Sequence, residues 1–282
     1  MSRNVFRDKV AWITGAGSGI GRALALELGK RGATVVVSGR RVAKLEEVAR
    51  ELERSGGRAL PVACDVTDED DVVRAVAQVA RELGRLDVCV ANAGFSVTGS
   101  IAELSAEDWR RQLDTNVVGA AITVKHALPH LHATGGRVAL VGSVSAFVPA
   151  PRLGAYNASE AALRAIGLTL SAELAGTGVS CTLLHPGFVE SEIAQVDNRG
   201  RHDPSRPDKR PKQLMWPADR AARVMADAIA SRKVEHVFTG HGKVGAFLGQ
   251  HAPGLVRLAL GRGPGRARLG ALTRDGEGSG TA

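Results

Sequence analysis

The chain has a single tyrosine, Tyr156, and only 3 tryptophans, 6 phenylalanines, 3 methionines and 3 cysteines among 282 residues. Cys64, Cys89 and Cys181 are odd in number, widely spaced and set in apolar surroundings. They supply neither a disulfide frame nor a metal cluster, and read as free buried thiols of a reducing compartment. No apolar run reaches the roughly 18 residues that a spanning helix needs. The opening residues, Met1 to Arg7, lack the apolar stretch of a signal peptide, so a cytoplasmic protein is expected. Aromatic residues are too sparse to interleave with basic ones, and nucleic acid is not expected as a partner. Acidic residues thin out toward the end of the chain. Residues 1–198 carry 21 Lys/Arg against 22 Asp/Glu, and residues 199–282 carry 16 against 7. The net charge of +8 therefore belongs to the last third, either as a solvated surface or as an attraction for phosphates or acidic lipid.

Glycine, by contrast, is plentiful at 34 residues, and its densest cluster organises the rest. Val10-Ala11-Trp12-Ile13 reads as a short buried strand running into Thr14-Gly15-Ala16-Gly17-Ser18-Gly19-Ile20-Gly21, after which Ile20, Leu24, Leu26 and Leu28 open a helical pattern. Strand, glycine turn and helix form half of a βαβ unit. Its backbone can approach a pyrophosphate closely, and its helix start offers free N–H groups to negative charge.

The alternation continues. Strands are predicted over Ala33–Ser38, Ala59–Cys64, Leu86–Ala91, Arg137–Val141 and Val179–Leu184. Helices are predicted over Val42–Arg54, from the capping cluster Thr67–Asp70 to Leu83, from about Ser105 to Leu131 and from about Gly154 to Ala175. This pattern specifies an α/β fold, a Rossmann-like doubly wound parallel sheet of about seven strands with helices on both faces. Glu190 to Trp216 breaks the pattern and reads as a loop over the substrate. A helix (Pro217–Arg232) and a last strand (Glu235–Thr239) follow. Three parts are expected: a dinucleotide-binding and catalytic domain over 1–243, an apolar helical extension over 244–261, and a basic disordered tail over 262–282. The extension reads first as a helix covering the site, with a subunit interface or a membrane surface as alternatives.

The ordered series TGAGSGIG, Asp65-Val66, Asn92-Ala93-Gly94, Asn116, Ser143, Tyr156 and Pro186-Gly187 resembles the short-chain dehydrogenase/reductase family across roughly residues 8–240. The resemblance implies a nicotinamide cofactor held by Gly15, Gly17, Ser18, Gly19, Ile20 and Gly21. Asp65 and Val66 would lie at the adenine, Asn92, Ala93 and Gly94 along the nicotinamide side, and Pro186, Val189 and Ser191 at the carboxamide. Where an acid would bind the ribose hydroxyls of NAD, the chain has Gly39 followed by Arg40 and Arg41. Guanidinium groups pair well with a 2′-phosphate, so NADP is expected and NAD less so. Asn116, Ser143 and Tyr156 would form the proton-transfer set for a small carbonyl or alcohol substrate, with Asn116 anchoring a water relay. Oligomers built on the two long helices, a homodimer or homotetramer, are a further implication.

One position departs from the family. Tyr156 is followed four residues later by Glu160, where the family has a lysine that favours tyrosinate and binds the nicotinamide ribose. A negative charge at i+4 raises a phenol's pKa instead of lowering it. The glutamate could imitate the lysine's second job by accepting from the ribose hydroxyls, so Glu160 beside Tyr156 counts among the expected cofactor contacts. Three outcomes stand open: Arg164 neutralises Glu160 and leaves a slow enzyme, Glu160 is protonated in a dry site, or the domain binds cofactor with a regulatory or structural role and little chemistry.

Overall fold

The computed structural model describes residues 5–261. Seven parallel strands form one sheet: β1 (Val10–Thr14), β2 (Thr34–Gly39), β3 (Arg58–Ala63), β4 (Val88–Ala91), β5 (Arg137–Val141), β6 (Ser180–Pro186) and β7 (Glu235–Phe238), in the order β3-β2-β1-β4-β5-β6-β7. Strands β1, β2, β4 and β5 read as continuous apolar runs because both faces are covered. Within β1, Ala11 and Ile13 pack against α1 (Gly19–Lys30), α2 (Val42–Arg54) and α7 (Ala218–Ala230). Val10 and Trp12 turn the other way, toward α3 (Glu69–Leu83), α5 (Gly119–Thr134) and α6 (Gly154–Glu173). Trp12 and Ile13 are fully buried, and each such side chain contributes about 1.5–3 kcal/mol relative to exposure.

Local chemistry sets the ends of these elements. The Asp68 carboxylate accepts from the backbone N–H groups of Asp70 and Asp71, and Gly84 closes α3 in the left-handed conformation. Ser105 and Asp108 form a reciprocal capping box at the start of α4 (Ala106–Leu113). The single long helix expected from Ser105 to Leu131 is instead α4 and α5 joined by a π-helical turn over Asp114–Val118. That wider turn holds the Asn116 side chain against the backbone of Phe95, the kind of position for which π-bulges are used.

The sheet order reverses between β1 and β4, which opens a crevice at the carboxyl ends of the strands. Residues 187–217, with two short 3-10 turns, fold across that crevice. After β7 come α8 (Gly240–His251), capped by the Thr239 hydroxyl, and α9 (Pro253–Gly261). Helix α8 begins at Gly240, four residues before Val244. It backs the loop after β5 from outside and contributes no wall to the crevice, against the covering role expected first. Three buried cysteines stay free. Among the described residues no helix is long and apolar enough to cross a membrane, and the basic tail expected over 262–282 lies outside them.

Candidate active site

The crevice encloses about 790 Å³ and runs unbroken from the glycine turn to Ser143, Tyr156 and Glu160. Its floor depends on missing side chains. Gly15 sits at φ +64° with Ala93 so close that a Cβ would stand 2.8 Å from the Ala93 Cα, a conformation and an approach that only glycine accepts. The Asn92 side chain donates to the carbonyls of Thr14 and Gly15 at 2.9 and 3.3 Å and ties β4 to the turn. Its amide is thus spent on the backbone, leaving Ala93 and Gly94 as the open part of that strand end. Helix α1 starts without a side-chain cap and has no acid in its first turn, so its N-terminal N–H groups face the crevice unmatched. This start suits a diphosphate.

Arg40 and Arg41 stand at the edge of the same end. Arg40 donates to the Gly200 carbonyl at 3.2 Å and lies 3.9 Å from the Asp65 carboxylate. Arg41 donates to the Ser18 hydroxyl and to Glu192, both at 2.9 Å. Arg41 is therefore anchored on the glycine turn itself, with a carboxylate from the 187–217 segment as its present counter-charge. Asp65 is held in a tight turn with Thr67, and Val66 is buried beside it. At the end of β6, Pro186, Val189 and Ser191 line the opposite wall.

Arg210 crosses to that wall. Its guanidinium donates to the Val189 carbonyl at 3.0 Å, the Ser191 hydroxyl at 3.2 Å and the Ser191 carbonyl at 2.9 Å. Nothing in the sequence singles it out within a loop rich in basic residues.

At the other end the crevice holds the titratable set. Tyr156 and Glu160 lie one turn apart on α6, and Ser143, just after β5, lines the same end of the crevice. Burial raises the Tyr156 phenol above its ordinary pKa, and the Glu160 carboxyl raises it further; the Ser143 hydroxyl and the Arg210 charge act the other way. Glu160 is 3% exposed. Burial pushes its carboxyl up to about 8, against the pull of the Asn116 amide and Tyr156. Asn116 Nδ2 donates to Glu160 Oε1 at 3.3 Å, while Glu160 Oε2 has no hydrogen-bond partner. A carboxyl so placed keeps its proton at neutral pH.

Arg164 does not neutralise Glu160. Its guanidinium forms a two-pronged bond to Glu235 at 2.6 and 3.1 Å. His185 adds a third contact to Glu235 at 3.0 Å and holds the Ser143 carbonyl at 3.2 Å through its other nitrogen. His185 and Arg164 together hold Glu235 down to about 2. This partner lies on β7, 71 residues from Arg164, beyond the reach of helical spacing.

The raised carboxyl makes a stability prediction with a definite sign. Between pH 4.5 and about 8 the folded state keeps a Glu160 proton that the unfolded chain has released, so its contribution is full at low pH and lost as pH rises through 8. In Glu160→Gln this loss is absent: thermal unfolding should show the variant gaining on wild type between pH 5 and about 8 and keeping a constant lead above that. Parallel curves would show that Glu160 is already ionised at neutral pH.

A model of the short chain dehydrogenase family matches residues 9–202. An uncharacterized oxidoreductase of Staphylococcus aureus (strain MW2) is 32% identical over 231 residues, covering 82% of this chain and 99% of that one. Among solved structures, a short chain dehydrogenase/reductase from Burkholderia phymatum in complex with NAD superposes with a TM-score of 0.74 at 28% identity, covering 82% of this chain and 88% of that one. A short chain dehydrogenase from Burkholderia cenocepacia J2315 in complex with NADP gives 0.73 at 28% identity, over 82% and 96%. The chain belongs to the short chain dehydrogenase family and is an oxidoreductase of that type.

Proposed function

We propose that the protein is an NADP(H)-dependent oxidoreductase that interconverts a ketone or aldehyde with the corresponding alcohol, and works mainly as a reductase at neutral pH. The observation that carries this reading is the single crevice that joins an uncapped, glycine-lined helix start to the chain's only phenol. The residues fit a nicotinamide dinucleotide: the Gly15–Gly21 backbone and the start of α1 would hold its diphosphate, Arg40 and Arg41 its 2′-phosphate, and Val189 and Ser191 its carboxamide. When bound, that group supplies the hydride.

The remaining work falls to the chain. Ser143 donates a hydrogen bond to the substrate carbonyl oxygen and fixes it beside Tyr156, and the Tyr156 hydroxyl delivers the proton to that oxygen. Asn116 holds Glu160 one helical turn from Tyr156, and a protonated Glu160 places no negative charge beside the phenol. A phenol whose pKa is raised carries its proton at neutral pH, the form that reduction requires. Phe95, Val148, Leu153 and Phe188 line the substrate end and favour an apolar carbonyl compound.

The test is NADPH consumption by the purified full chain against a panel of apolar ketones and aldehydes. NADPH binding without turnover of any member would favour a non-catalytic role. The cofactor choice has its own check. Removing a charged hydrogen bond costs about 1.5–3 kcal/mol, or about 10–100-fold in affinity, so Arg41→Ala should weaken NADPH binding by that factor and leave NADH within about twofold. Equal weakening of both would assign Arg41 to holding Ser18 and Glu192 instead of reading a phosphate.

A further inference from the structure

Helices α8 and α9 carry a surface that the proposed oxidoreductase chemistry does not use. On α8 the inward residues are Gly242, Ala246 and Gly249, at i, i+4 and i+7. A Cβ on Gly249 would stand 2.2 Å from the Phe147 carbonyl oxygen, so this face is pressed onto the loop after Ser143. The opposite face presents Val244 and Phe247, each 61% exposed, with His251 one turn on against the Phe247 ring at 4.7 Å. On α9 no residue is buried, and Leu255 (62% exposed) and Leu258 (50% exposed) share one side at i and i+3. Four of the large apolar side chains that the described residues leave exposed thus fall within fifteen positions at one corner of the molecule.

The sequence over this stretch carries charge of one sign. From His236 through Arg274 the sequence has no acidic residue, while Lys243, Arg257, Arg262, Arg266, Arg268 and Arg274 are all basic. Lys243 and Arg257 are exposed beside the apolar side chains. A second copy of this corner would bring like charges together. An anionic lipid surface would satisfy both features, since apolar side chains enter the acyl boundary while basic ones meet the headgroups.

We propose that α8 and α9 dock the protein onto anionic lipid, with Val244, Phe247, Leu255 and Leu258 entering the interface and Lys243 and Arg257 meeting headgroup phosphates. The partner is a bilayer surface that the helices lie on and do not cross. The inward face of α8 rests on the loop that carries Ser143, so docking sets the catalytic end of the crevice near the membrane.

Co-sedimentation of the full chain with vesicles of phosphatidylcholine alone, and with a phosphatidylglycerol fraction added, tests this directly. Wild type should bind the anionic vesicles and bind neutral ones about tenfold or more weakly, with partial release by salt. Phe247→Asp with Leu255→Asp should lose about tenfold or more of the anionic-vesicle binding, with unchanged thermal unfolding and NADPH affinity, because both side chains are exposed. Absence of vesicle binding, or equal binding by the double variant, would overturn the proposal. So would a wild-type dimer that the double variant converts to monomer without any lipid association, since that assigns the face to a second copy. Neither result depends on turnover, so failure here leaves the oxidoreductase reading intact.

Discussion

Tyr156→Phe should lower kcat/KM for ketone reduction by about 10²–10⁴-fold, the range for removal of a positioned proton donor, with NADPH affinity within about twofold of wild type. The substitution deletes one hydroxyl and keeps the ring on α6. The fold does not depend on that hydroxyl: the neighbouring network of Asn116, Phe95 and Gln112 is satisfied without it. A structural role for the phenol would appear as a lowered unfolding temperature with activity falling in proportion. The proton-transfer reading requires folding and cofactor binding to stay while turnover goes. Retention of more than about a tenth of the wild-type rate would remove Tyr156 from the mechanism.

Glu160→Lys should raise turnover, most strongly in the alcohol-oxidising direction and at alkaline pH. In wild type the carboxyl ionises near pH 8, which adds a negative charge beside the phenol just where a base would need to lose its own proton. A cation there reverses the sign. Each unit of pKa is about 1.4 kcal/mol, or tenfold in phenolate population, so a shift of two units corresponds to about a hundredfold gain in oxidation. The Glu235 carboxylate on β7 is already held by Arg164 and His185, so the new charge acts on Tyr156 rather than being neutralised there. Glu160→Gln separates charge from shape: it should track wild type below pH 7 and exceed it above pH 8. If neither variant gains at any pH, position 160 does not limit the reaction.

The glycine turn, the parallel sheet and most element ends were legible in the sequence for physical reasons. Strands covered on both faces must be apolar throughout, and a backbone crowded against Ala93 at φ +64° must be glycine. Asn116, Ser143 and Tyr156 were named through the family resemblance and Glu160 from its place four residues after Tyr156, and the fold brings the four to one end of one crevice.

What was not legible depends on contacts distant along the chain. The π turn at Asn116 is a shift in hydrogen-bond register, which composition does not encode; it accompanies the paired bonds of the Asn116 side chain to the Phe95 backbone. Arg164 pairing with Glu160 at i+4 was one of three open outcomes, and a two-pronged bond to a β7 carboxylate is the stronger competitor. Arg210 was hidden because nothing local distinguishes the arginine that reaches Val189 and Ser191 from its neighbours in the same loop. The outward faces of α8 and α9 show the converse: their apolar character was plain, and only the fold reveals that nothing in the described chain covers it.

The most direct measurement is a crystal structure of the full chain grown with NADPH. The expected result is the diphosphate on the Gly15–Gly21 backbone, the 2′-phosphate against Arg41, and the nicotinamide ring facing Tyr156 with room for a substrate carbon within the roughly 3–3.5 Å of a reacting pair. A nucleotide bound elsewhere, or a ring kept from Tyr156 by Ser191 and Arg210 remaining where they stand, would contradict it.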